Sequence, residues 1–183
     1  MHRLCQLSCI VAITSLLLSA CAVPPEPGGM TVAAGVTSVP GATSDKSLKV
    51  EPVTGGTPTE ASQQTKLGDD EFHAALVASL KNSGLFRDVV ASGDADWRLK
   101  VLIASQAAHG QWSATQELMV RYELFRAAAE QPSWSETVYT QQETGFELSA
   151  LRRSRVLVET AARANIADFL ERLRRWLAAQ NNR

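Results

Sequence analysis

The side chains that could carry chemistry are few: three cysteines, three histidines, an acidic run at Asp69-Asp70-Glu71 and scattered serines. Cys5, Cys9 and Cys21 all lie within the first 21 positions, so the remainder can form neither a disulfide framework nor a cysteine-ligated metal cluster. His73 and His109 stand far apart, with no carboxylate or cysteine at ligand spacing, which argues against zinc or iron. A serine nucleophile needs a positioned base. No serine lies in Gly-x-Ser-x-Gly, and neither histidine has an evident acidic orienter. Asp69, Asp70 and Glu71 are adjacent, yet successive helical residues point in different directions, so they read as helix-start acids. Gly28-Gly29 and Gly55-Gly56 lack the spacing and following basic residue of a phosphate loop. No catalytic residue, metal site or cofactor is therefore expected.

The thiol at position 21 has a different setting. Arg3 supplies a positive start, residues 10–18 form an apolar run broken only by Thr14 and Ser15, and small residues follow, so 1–20 reads as a secretion signal. The run has about half of the roughly 20 apolar residues needed to cross a bilayer. Its end, Leu18-Ser19-Ala20-Cys21, resembles a bacterial lipobox, which implies cleavage before Cys21 and acylation of that residue. The alternative is an ordinary signal peptide cut after Ala20, with Cys21 merely present. Ala22, in place of an aspartate, further implies sorting to the outer membrane, with the domain on its periplasmic face.

Of the 183 residues, 20% are charged and 45% apolar, with a net charge of −1, values that fit one ordinary domain plus a non-globular segment. Loss of Arg3 with the signal leaves 17 basic against 19 acidic residues, a net of −2. This balance gives no reason to expect nucleic acid or an anionic surface as the main partner. Attachment to the membrane rests instead on acyl chains, each buried methylene contributing about 0.8 kcal/mol. Residues 21–46 are almost wholly Pro, Gly, Ala, Val, Thr and Ser, and read as an acylated start and disordered tether reaching about 25–30 Å.

A single domain is expected over 47–178, with 179–183 frayed. Residues 48–53 alternate and read as a strand closed by Thr54-Gly55-Gly56-Thr57-Pro58. Phe72, Leu76 and Leu80 recur at helical spacing from Asp69 until Ser83-Gly84, with Leu85 and Phe86 hooking back. Two strands follow, with Trp97, Leu99, Val101 and Ile103 on one face of the first and Leu118, Val120, Tyr122 and Leu124 on one face of the second. A Gly110-Gln111 turn flanked by His109 and Trp112 would set Val101 opposite Val120 and Arg98 opposite Glu123. Residues 134–140 read as a further strand. From about Ser154, Val158, Ala162, Ile166, Phe169, Leu173 and Trp176 form one helical stripe, with Arg163, Asp168, Glu171, Arg172, Arg174 and Arg175 on a solvated side. Asn165, beside that stripe, needs hydrogen-bond partners if buried. The expected fold is α+β: a four-stranded, mostly antiparallel sheet in the order strand-helix-strand-strand-strand-helix, both helices on one face and the other face open.

The lipobox, the Phe72…Leu80…Ser83-Gly84-Leu85-Phe86 segment, Ala95-Asp96-Trp97-Arg98-Leu99 and Ala164-Asn165-Ile166 with Phe169-Leu170 together resemble a broad group of small bacterial envelope lipoproteins. That group includes the lipopolysaccharide-transport lipoprotein LptE, auxiliary lipoproteins of ABC-type transport systems, and domains similar to CsgG and LpoB. The resemblance implies a non-enzymatic accessory docked on a larger envelope transport or assembly system, membrane-bound through lipid on Cys21 and in contact with a protein partner. Trp112 and His109 at the hairpin, with Arg98 and Arg121 on the strands, are the expected partner contacts. Activation of a peptidoglycan synthase and binding of a lipid or glycan between helices and sheet are the alternatives, and a hydrolase using His73 or His109 is a third.

Overall fold

A computed structural model describes residues 22–35, 43–60, 64–90, 92–110, 114–144 and 150–181. In chain order these form α1 (Pro27–Met30), β1 (Ser44–Val50), α2 (Asp69–Ser83), β2 (Phe86–Val90), β3 (Trp97–His109), β4 (Ala114–Arg126), β5 (Trp134–Thr144) and α3 (Ala150–Asn181). The class is α+β, but the sheet has five strands, is mixed, and runs in the order β2-β1-β3-β4-β5. Three helices rather than two are present among the described residues.

The mixed character comes from β1, which pairs parallel to both of its neighbours. β1, α2 and β2 form a crossover: the helix carries the chain back to the end where β1 began, so β2 must pair parallel to β1. β3 also pairs parallel to β1 on its other side, while β3, β4 and β5 form an antiparallel meander. The hook expected at Leu85 and Phe86 is thus the entry to an edge strand, Ser44 N–H donating to Leu85 O at 2.8 Å. β1 ends at Val50 rather than 53, and Thr54 takes over its pairing with β3, donating to Val101 O and accepting from Ile103 N. Gly55 follows with φ of 90°, where a Cβ would lie 2.4 Å from Ile103 O, so only glycine fits this approach.

α2 begins at Asp69 and closes on Gly84, which sits left-handed at φ 62°. Asp69 does more than favour the helix dipole: its Oδ1 accepts from Gly56 N–H at 2.7 Å and ties the loop after β1 to the helix start.

The β3–β4 register differs from expectation by two residues. Val101 faces Tyr122, Ile103 faces Val120, and Arg98 faces Phe125. A two-residue slip leaves each side chain on its own face, so the apolar alternation cannot detect it. A bulge between Ile103 and Ser105 then moves the later residues of β3 by one, turning Gln106 inward and His109 outward. The final pair is His109 with Thr115, a longer connection than the expected two-residue turn, although Gly110 does take a positive φ of 97°.

α3 buries Val158, Ala162, Ile166, Phe169 and Leu173 against β4 and β5. Phe169 stacks on Tyr122 with centroids 4.0 Å apart, and Trp97, Trp134 and Trp176 continue the aromatic layer as half-buried residues. Asn165 is fully buried and fully paired. Its Oδ1 accepts from Tyr122 OH at 2.7 Å, and its Nδ2 donates to Val138 O and Thr140 Oγ1, each at 3.0 Å. One amide thereby fixes α3 to two strands.

Burial pushes the Tyr122 hydroxyl well above its ordinary range, and the Asp168 carboxylate adds to the shift. The unfolded tyrosine ionises near pH 10 while the folded one stays neutral, so stability present below pH 10 falls as pH rises beyond it. Denaturant titrations above pH 10 should show a shallower loss in Tyr122→Phe than in the parent chain. Asn165→Ala, which strands the buried phenol and opens a void, should cost about 3 kcal/mol at neutral pH.

Candidate functional site

Alternation along β3, β4 and β5 sends one set of side chains into the helix layer and the other onto a face that no described element covers. On that uncovered face Met119 lies directly across from Tyr139, and Leu102 sits diagonally beside them on β3. Leu102 is 40% exposed, Met119 36% and Tyr139 50%. Arg121, exposed, faces Leu102 on one side and Thr137 on the other, so a cation borders the apolar patch. Lys100, Glu123 and Glu117 surround it with mixed charge. A patch of this kind, apolar at its centre and polar around it, is chemically a contact surface rather than a reaction centre.

The other expected contacts separate. Arg98 is engaged within the chain: Nη1 meets Glu51 Oε1 at 2.8 Å, Nε and Nη2 donate to Ala127 O and Ala129 O, and the guanidinium covers Phe125 at 5.5 Å. Together with Lys100, 4.9 Å from the same ring, it buries Phe125 on an otherwise open face. His109 is exposed at the end of β3 on the same face as Arg121, but six residues further along the ladder, about 20 Å away. Trp112 and Cys21 lie outside the described residues. His73 belongs to the helix layer, where Nε2 lies 3.4 Å from Val50 O, so the two histidines do not meet. Among the described residues no group of His, Cys, Asp and Glu could hold a metal ion, and no helix is long and apolar enough to cross a membrane.

The segment read as a tether behaves differently in its first half. Residues 22–35 lie along the groove between α2 and α3 and form a strap. Val23 O accepts from Thr65 Oγ1 at 3.2 Å, and Glu26 pairs with Arg155 at 2.7 Å while its N–H donates to Glu159. Gly29 O accepts from Arg163. Met30 is fully buried in the core, Val32 N–H donates to Ser79 Oγ at 2.9 Å, and Asn82 donates to Val32 O. Composition correctly marks this stretch as unable to form its own core. It borrows one instead, inserting Met30 between two helices whose facing sides the sheet leaves uncovered. A cleft of about 270 Å³ lies beside Gln64, Lys66, Gln106, Ala107, Ala108 and Gln116, its lining about equally polar and apolar.

Below the far end of the strap, Arg174 is 4% exposed, not solvated as its helical position suggested. The strap and α2 cover that side of α3. The Arg174 Nη1 has no hydrogen-bond partner among the described residues, and burial lowers the guanidinium pKa against the opposing pull of Glu171. A void of about 20 Å³ beside it, bounded by Val32, Ser79, Ser83 and Leu170, has room for about one water.

No protein-family model matches the chain, and no curated protein matches it. Among solved structures, protein XCC0632 from Xanthomonas campestris, family-model DUF330, aligns over 88% of this chain and 98% of its own, with a TM-score of 0.60 and 14% identity. Protein CT253 from Chlamydia trachomatis aligns over 74% of this chain and 99% of its own, at 0.56 and 13%. At these identities the likeness establishes a shared fold. A minor lipoprotein from Acinetobacter baumannii is a looser match, with a TM-score of 0.44 and 12% identity over 75% of this chain and 94% of its own.

Met30→Ala should lower the unfolding free energy by about 2–4 kcal/mol in urea titration, whereas Val23→Ala, at a half-exposed position, should change it by less than about 0.5 kcal/mol. Arg174→Met, which removes a buried cation whose Nη1 lacks a partner among the described residues while keeping its volume, should leave stability unchanged or raise it by about 1 kcal/mol or more in the same assay.

Proposed function

We propose that the chain is a bacterial envelope lipoprotein, held through acylated Cys21 at the periplasmic face of the outer membrane. It acts as a non-enzymatic docking component of a transport or assembly system. The Leu18-Ser19-Ala20-Cys21 motif supports the anchor. The docking reading is carried by one observation, the exposed apolar group Leu102, Met119 and Tyr139 on a sheet face that no described element covers. A partner covering the three side chains gains apolar burial at roughly 25 cal/mol per Å², and Arg121 beside them favours a partner with a carboxylate at the edge of its contact.

The test is recovery from chemically crosslinked envelopes. The parent chain should bring down a protein partner, and Leu102→Asp with Tyr139→Asp should reduce that recovery at least tenfold while circular dichroism stays unchanged. Cys21→Ser should move the protein from the membrane fraction to the soluble fraction. Recovery of the parent chain alone would overturn the docking reading.

A further inference from the structure

We infer that the strap turns the lipid anchor into a rigid mount, and that the hairpin end of the domain rests on the bilayer surface; this rests on acylation of Cys21. Ala22 is packed, at 9% exposure, and the next residue is bonded to Thr65. Position 21 is one peptide from Ala22, so its Cα lies about 3.8 Å beyond a fixed point. No slack remains between an acylated cysteine and the domain. The 25–30 Å freedom of a tether is absent where it would matter, because the strap is held at Val23, Glu26, Gly29, Met30 and Val32.

The place where the strap begins fixes which end faces the lipid. Thr65 and Lys66 share a cleft with Ala107, Ala108 and Gln116, and Gln106 bonds both main-chain groups of Leu67, at 2.8 and 3.0 Å. This is the end where β3 finishes and β4 starts. α2 begins there at Asp69, and Arg155 near the start of α3 holds Glu26. From it, the strap, α2 and α3 all run toward the opposite end, where Asn181 Nδ2 donates to Thr43 O. β3 has 13 residues, so the two ends stand about 40 Å apart. With Cys21 in the bilayer, the strands stand upright on it. The Leu102–Met119–Tyr139 face is then turned sideways, and the β3 start and the 127–133 turn point away from the membrane. A partner for that face must itself stand beside the same membrane.

The experiment uses the full chain produced with residues 1–20, from which removal of the signal also removes Cys5 and Cys9. Ala108→Cys and Glu130→Cys, exposed positions at the two ends, each carry a fluorophore, and the purified protein is placed in phosphatidylethanolamine/phosphatidylglycerol vesicles bearing a headgroup quencher. Mass spectrometry of the same sample reports acylation. An acylated chain with quenching at position 108 at least threefold that at 130 supports the inference, and a Gly/Ser insertion of about 20 residues between Cys21 and Ala22 should bring the two sites to equal quenching. An acylated chain with equal quenching before insertion overturns the mount and leaves the lipoprotein reading intact. A chain without acyl groups overturns both.

Discussion

The groove between α2 and α3 is the constraint on which the rest of the structure depends. Each helix lays one stripe on the sheet, and two round helices side by side on a flat layer leave a furrow above their contact. Left open beside Val32, it would expose Ser79, Ser83 and Leu170. The strap closes it with Met30 at the centre and main-chain bonds to Ser79, Asn82 and Arg163 on both walls. The domain is completed by the segment expected to hang free of it.

Much of the scaffold was legible in the residues. The α3 stripe, the inward faces of β3 and β4, the Asp69 to Gly84 helix and the need of Asn165 for partners all follow from spacing and from the cost of burying polar atoms. In each case the pattern is local and repeats several times, so chance seldom imitates it. β2 escaped notice because Phe86–Val90 is a five-residue parallel edge strand whose central Arg87 and Asp88 pair with each other at the surface. Without it the sheet counts four strands and the β1-α2-β2 crossover disappears, while the parallel β1–β3 pair is a second departure from the mostly antiparallel expectation. The two-residue register error was invisible in principle, since the pleat repeats every two residues.

The strap and Arg174 fail together and for one reason. Pro, Gly and Ala around Met30 carry too little apolar area for an independent fold, and a periodic reading of α3 knows nothing of what lies on its second side. Placing the strap there buries Arg174, which helical spacing alone assigns to solvent. At the candidate site the useful signal was present but unused: Leu102, Met119 and Tyr139 are large apolar residues at outward positions of strands whose inward positions were already filled. Arg98, by contrast, is a charge on a strand that spacing alone marks as available, and its guanidinium is occupied by Glu51, two carbonyls and Phe125.

The central claim is that residues 22–35 are part of the folded domain. Native-state hydrogen exchange at Val32 N–H, bonded to a buried Ser79 hydroxyl, measures it most directly. The account predicts exchange several orders of magnitude slower than in an unstructured peptide, with an opening free energy comparable to that of amides in the centre of α2. Exchange at the unprotected rate, while α2 remains protected, would contradict it and return the segment to the status of a free tether.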